Sequence, residues 1–221
     1  MWKFRIADIT IEIHISFFIL VVIFFFLGNA FLAFCSIIFS FLHEIVHGIV
    51  AKRLGYRPKT ISAGLFGGVL HLEEGYLPPL DALIINLSGP MFNLTTAMIF
   101  YLGYLIFPAL WIRSILTANL ILGLFNLMPF YPLDGGKIIG VYLSYFFGYG
   151  KAYIISKIFS FIFTLLLFLL GLYLVQYSVI NLLISVLAVN LYIVGRADSR
   201  YSFYRLMSIY AAIEKENWKW Y

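Results

Sequence analysis

The chain has 221 residues, 63% of them hydrophobic and 11% charged, whereas a soluble domain is roughly half apolar and a quarter charged. A soluble globular domain is therefore excluded, and a single cysteine excludes an intrachain disulfide. The net charge of +5 is spread between apolar runs, which is the pattern of membrane topology and not of a nucleic-acid surface. Those runs are long enough to cross a bilayer. The fold class expected is an all-α polytopic membrane protein with six transmembrane helices and a small β-hairpin or sheet near the cytoplasmic side.

Residues 3–15 alternate in polarity, with Ile9, Ile11, Ile13 and Ile15 on one side. Period two predicts one or two short strands at the interface. His14 closes this stretch, either as an interfacial histidine or near a site. The N-terminal segment lacks a small-x-small cleavage site, so it is expected to be retained. A first span is expected over 16–28, a turn at Gly28-Asn29, and a second span over 30–54.

Residues 55–80 hold Gly55, Pro58, Gly64, Gly67, Gly68, Gly75, Pro78 and Pro79. Thr60-Ile61-Ser62 and Val69-Leu70-His71-Leu72-Glu73 have strand composition, so a β-hairpin beside the second span is predicted. The third span is expected over 81–106, kinked at Ser88-Gly89-Pro90, with Asn93 placing an amide in the interior. The fourth is expected over 112–128. The chain then breaks at Pro129 and Pro132, and an amphipathic helix follows to about Phe147. Two further spans are expected over 153–175 and 178–195, then a tail over 196–221 rich in charge and aromatics. With the N-terminus in the cytoplasm, all of the 15 Lys and Arg except Arg113 fall on the cytoplasmic side, as the positive-inside rule requires. Both termini are then cytoplasmic.

The second span carries His43-Glu44-Ile45-Val46-His47. On a helix, residues i and i+4 share a face, so both imidazoles reach one metal ion, with the glutamate between them as a general base. Such residues are expensive in lipid and mark function there. The motif lies roughly 10–17 Å from the cytoplasmic end of the span at 1.5 Å per residue. Two histidines leave a catalytic zinc one protein ligand short. Asp134, between the proline break and Gly135-Gly136, is the candidate. The other reading makes Asp134 the N-cap of the 135–147 helix, and Glu73 or Glu74 is then the rival ligand.

Taken together, these stretches resemble the site-2 protease family of intramembrane zinc metalloproteases. The resemblance rests on the His-Glu-x-x-His stretch, on Phe66-Gly67-Gly68, on Ser88-Gly89-Pro90 with Asn93, and on Asn126-Leu127-Met128-Pro129-Phe130-Tyr131-Pro132-Leu133-Asp134-Gly135-Gly136. It extends from about residue 10 to about residue 210. Within the family the chain is most similar to the stage IV sporulation FB branch. The resemblance implies one Zn2+ held by His43, His47 and Asp134, with Glu44 as general base. Asn126, Pro129 and Pro132 would shape the site. Phe66, Gly67, Gly68, Val69 and His71 would belong to a substrate-docking hairpin. Asn126 is an oxyanion donor, a hydrogen-bond partner of a loop or of the substrate backbone, or an amide stapling the third and fourth spans.

The substrate implied is a membrane-associated regulatory protein, a precursor sigma factor in sporulation. The alternatives are clearance of signal-peptide remnants, cleavage of an anti-sigma factor, or a non-proteolytic zinc carrier. Small inhibitory membrane proteins are implied as partners, nucleic acid is not, and the location implied is a bacterial cytoplasmic membrane, in a sporulating cell the mother-cell membrane around the forespore. One membrane-embedded domain is expected over 1–195, with hairpin loop 55–80, and a short tail over 196–221 with no CBS or PDZ domain.

Overall fold

The computed structural model describes residues 2–6, 9–13, 30–64, 67–72, 77–197 and 199. The expected first span, His14, Phe66, Glu73, Glu74 and most of the tail lie outside the described residues. The chain divides into two compact units, Met1–Leu127 and Met128–Tyr221.

Among its described residues, the first unit combines a four-stranded sheet with three helices. Strands β1 (Trp2–Ile6) and β2 (Ile9–Ile13) pair antiparallel, with Phe4 opposite Ile11. Strands β3 (Pro58–Gly64) and β4 (Gly67–Leu72) also pair antiparallel, with Ser62 opposite Val69 and an irregularity between Pro58 and Thr60. β2 and β3 join the two pairs in parallel, Ile11 opposite Ile61. The order is β1-β2-β3-β4, which leaves β1 and β4 at the edges among the described strands. A parallel join needs a crossover, and the chain between β2 and β3 includes helix α1 (Ala30–Arg53). β3 and β4 run beside that helix.

Helix α1 ends where its sequence says it should. Lys52 and Arg53 occupy the last turn, complementing the negative end of the helix dipole. Gly55 then takes φ 91°, its N–H bonds the Lys52 carbonyl, and the Tyr56 N–H bonds the Ala51 carbonyl. This paired closure needs a left-handed residue, which glycine supplies without strain. Helix α2 (Pro79–Ile106) opens with Pro79 at its first position and Asp81 in its first turn, both suited to an N-terminus. Tyr56 Oη donates to Asp81 Oδ2 at 2.6 Å and ties the end of α1 to the start of α2 across the second hairpin. The expected kink at Pro90 is not a break. Pro90 is fully buried, and α2 continues through it as one element. Helix α3 (Leu110–Asn126) follows.

The packing is inside-out. Phe34, Met98, Leu102, Leu105 and Leu110 are exposed, while His43, His47, Asn93 and Asn119 are at most 4% exposed. Apolar faces outward and polar groups inward is the arrangement of a bilayer-embedded bundle. Gly123 lets α3 close on α2, since a Cβ there would meet the Leu94 side chain.

In the second unit, helix α4 (Asp134–Leu174) is interrupted at Gly148, with φ 72° and ψ 160°. The sequence expected two helices there, and glycine's tolerance of positive φ is the reason the break falls at residue 148. A 3-10 turn (Val179–Asn181) leads into helix α5 (Leu182–Ala197). Gly171 lies against Ser185 of α5, and Gly195 lies against the Tyr131 carbonyl. Among the described residues, three stretches are long and apolar enough to cross a membrane, Ala30–Arg53, Pro79–Ile106 and Gly150–Leu174; Leu110–Asn126 and Leu182–Ala197 are shorter apolar helices.

Candidate metal centre

One turn of α1 brings His43, Glu44 and His47 together. All three are buried, and one ligand atom from each lies within 4.8 Å of the others. The two imidazoles meet edge to face, centroids 4.6 Å apart at 87°, with the Nε2 atoms 3.1 Å from one another.

The outer nitrogen of each ring selects the tautomer of the neutral imidazole. His47 Nδ1 lies 2.6 Å from the Ile85 carbonyl oxygen. A carbonyl only accepts, so Nδ1 donates and Nε2 is left with its lone pair. Ser88 Oγ stands 3.2 Å from the same nitrogen and itself donates to Ile85 O. His43 Nδ1 lies 2.5 Å from Asn93 Oδ1. Asn93 Nδ2 donates to Asn119 Oδ1 at 2.9 Å, and Asn119 Nδ2 donates to the Ile115 carbonyl at 3.0 Å. Read back from that carbonyl, each amide has one possible orientation, so Asn93 presents an acceptor and His43 Nδ1 donates. In the neutral rings this turns the Nε2 atom of each histidine, 3.1 Å apart, toward the same point. Neutral imidazole nitrogens whose outer nitrogen bonds a carbonyl are the usual donors to a metal ion.

The backbone of α2 makes room for it. A Cβ at Gly89 would overlap Nε2 of both histidines. The donor set and the cradle both fit a metal ion.

Asp134 is the first residue of α4, in the second unit. The N-cap is Leu133 and makes no side-chain cap bond, so the capping alternative is corrected: Asp134 sits one position inside the helix. Its carboxylate is buried and pairs with Lys137 Nζ at 3.6 Å. The segment before it is pinned. Phe130 stacks on Phe163 with centroids 4.9 Å apart, the Tyr131 N–H donates to Ser160 Oγ at 3.0 Å, and a Cβ at Gly136 would meet the Phe130 backbone. Pro129 and Pro132 flank this turn and are half-buried.

Asn126 closes α3 and donates back to the Leu122 carbonyl at 3.0 Å. Asn93 and Asn119 form a side-chain staple between α2 and α3. Asn119 was missed by sequence reasoning; the one signal in the sequence was an amide within an apolar run, four residues before Gly123, and its full burial is visible only in the structure. Gly67, Gly68, Val69 and His71 all lie on edge strand β4.

Comparison with known proteins agrees with this geometry. Residues 29–117 match peptidase family M50. A zinc metalloprotease of Methanocaldococcus jannaschii is 32% identical over 166 residues, 67% of this chain and 47% of that protein. Stage IV sporulation protein FB of Bacillus subtilis is 26% identical over 145 residues, 60% of this chain and 47% of that protein. The chain thus spans about half the length of these curated relatives. The solved site-2 protease from Methanocaldococcus jannaschii superposes with a TM-score of 0.72 at 27% identity, covering 90% of this chain and 95% of that one.

Proposed function

We propose that this chain, which belongs to the peptidase M50 (site-2 protease) family, is a zinc-dependent intramembrane endopeptidase. The observation that carries the proposal is the pair of buried Nε2 atoms 3.1 Å apart, with the Glu44 carboxylate beside them.

His43 and His47 would hold the ion, and Asp134, a buried carboxylate beyond a pinned turn, would be the third ligand. Zinc, when bound, polarises a carbonyl and lowers the pKa of water. Glu44 accepts a proton from the attacking water at its carboxylate oxygen and returns it to the leaving amine nitrogen. The hydrogen bonds at both Nδ1 atoms hold the imidazoles in the metal-ready tautomer throughout. Burial of all three side chains keeps bulk water from competing.

A transmembrane substrate hides its peptide bonds in helical hydrogen bonds and must be extended before hydrolysis. Strand β4, at an edge among the described strands, offers backbone groups for β-addition, and its run beside α1 supports that role. The substrate proposed is a membrane-associated regulatory protein. Likeness to stage IV sporulation protein FB supports a precursor sigma factor as that substrate, cleaved in a sporulating cell. Six spans with both termini in the cytoplasm fit the distribution of Lys and Arg.

The test is zinc content and cleavage of a membrane-tethered substrate by the full chain, wild type beside Glu44→Gln. The expected result is one zinc in both and a roughly 10²–10⁴-fold loss of cleavage in the variant. A variant that cleaves as the wild type does, or a wild type without zinc, overturns the proposal.

A further inference from the structure

We propose that Asn119 is a positioning residue for the metal centre, acting through Asn93 to fix the tautomer of His43; this rests on the zinc reading above. Asn119 touches no histidine. It is 0% exposed, on α3, with its Nδ2 committed to the Ile115 carbonyl and its Oδ1 to Asn93 Nδ2. The Ile115 carbonyl is the fixed end of the relay, because it accepts and never donates. It forces the Asn119 amide one way round. That in turn forces the Asn93 amide, which is also 0% exposed and has nowhere else to turn.

Without Asn119, Asn93 has two orientations. In one, Oδ1 accepts from His43 Nδ1–H and the neutral ring keeps its lone pair on Nε2. In the other, the amide donates to Nδ1, the proton resides on Nε2, and the ring is closed to a metal. The relay removes the second state. Two helices must be close for it to exist. Gly123, one turn beyond Asn119, provides that approach, since a Cβ there would meet Leu94 and lie 3.4 Å from Asn93 Cβ. A buried amide in an apolar helix is costly unless satisfied, and here both of its groups are spent on orienting one ring.

The relay makes a polarity prediction that a packing role does not. Asn119→Leu keeps similar volume but frees the Asn93 amide. Asn119→Asp, protonated in this apolar setting, donates to Ile115 O and accepts from Asn93, restoring the same direction. Zinc affinity of the full chain in detergent, measured by competition with a chromophoric chelator, is expected to fall ~10- to 100-fold in Asn119→Leu. It should stay within about threefold of wild type in Asn119→Asp, since the outer partner is kept. Asn93→Leu combined with Asn119→Leu should bind no more weakly than Asn93→Leu alone, as members of one chain of contacts are not additive.

Wild-type affinity in Asn119→Leu, or equal loss in the Leu and Asp variants, overturns the relay while leaving the zinc reading in place. A wild-type chain that binds no zinc overturns both. The relay is also readable without any variant at Asn119. Nitrogen-15 spectra of metal-free, histidine-labelled wild type, assigned against His43→Gln, should show His43 protonated at Nδ1; protonation at Nε2 overturns the proposal.

Discussion

The backbone of Gly89 lies against the tip of the His47 imidazole, so closely that a methyl group at position 89 would overlap Nε2 of His47 as well as Nε2 and Cε1 of His43. The atoms in the way are the far ends of two side chains, not backbone. Gly89→Ala should therefore displace the rings before it disrupts the helices. The expected cost in fold stability is about 1–3 kcal/mol, the usual range for overpacking, while zinc binding is lost because both donors are moved off their common point. Parallel thermal melts and zinc analysis check this. A variant that keeps full zinc would mean that the cradle is wider than the structure shows.

Asp134 separates a ligand role from a helix-starting role. It stands at the first position of α4 with Leu133 as the cap, and Lys137 pairs with it one turn later. A first-turn carboxylate favours the helix through the dipole, an effect of about 0.3–1 kcal/mol. Asp134→Asn keeps a polar side chain of the same size but removes the charge. If the carboxylate is a ligand, zinc affinity falls by more than the ~10- to 100-fold typical of an outer partner, and metal-free melting changes little. Equal zinc affinity in Asp134→Asn and wild type would leave only the helix-start role.

Much of the fold was legible in the sequence because it is local. The second span, expected over 30–54, is Ala30–Arg53, and the third and fourth begin two residues earlier than expected at Pro79 and Leu110. Lys52-Arg53 with Gly55 and the Pro78-Pro79 pair mark those ends by mechanisms that act within one turn. The break in α4 falls at Gly148 for the same reason. The parallel pairing of β2 with β3 was not legible, since it joins residues about fifty positions apart across a helix. Of the candidate site, His43, Glu44 and His47 announced themselves by spacing. Asn119 did not, because one asparagine in a helix carries no period. Its role depends on Gly123 and Asn93 meeting across two helices, which only the packing reveals.

Strand β4 tests how a substrate is held. It lies at an edge of the sheet among the described strands, with its partner β3 on the other side. Edge backbone groups are free to pair with an added strand, which is the usual hazard of edges and here a means of recognition. Val69 sits mid-strand, opposite Ser62. Val69→Pro removes one N–H and fixes φ, which an edge strand tolerates better than a central one. The candidate metal ligands on α1 keep their identity in this variant. Zinc content should stay at the wild-type level, while cleavage of a membrane-tethered substrate falls about tenfold or more, the worth of one or two lost backbone bonds at roughly 1 kcal/mol each. The loss should appear with short extended peptides as well as with full transmembrane substrates, because both would pair with the same edge. Normal cleavage by Val69→Pro would remove β4 from the docking path and leave substrate extension to another element.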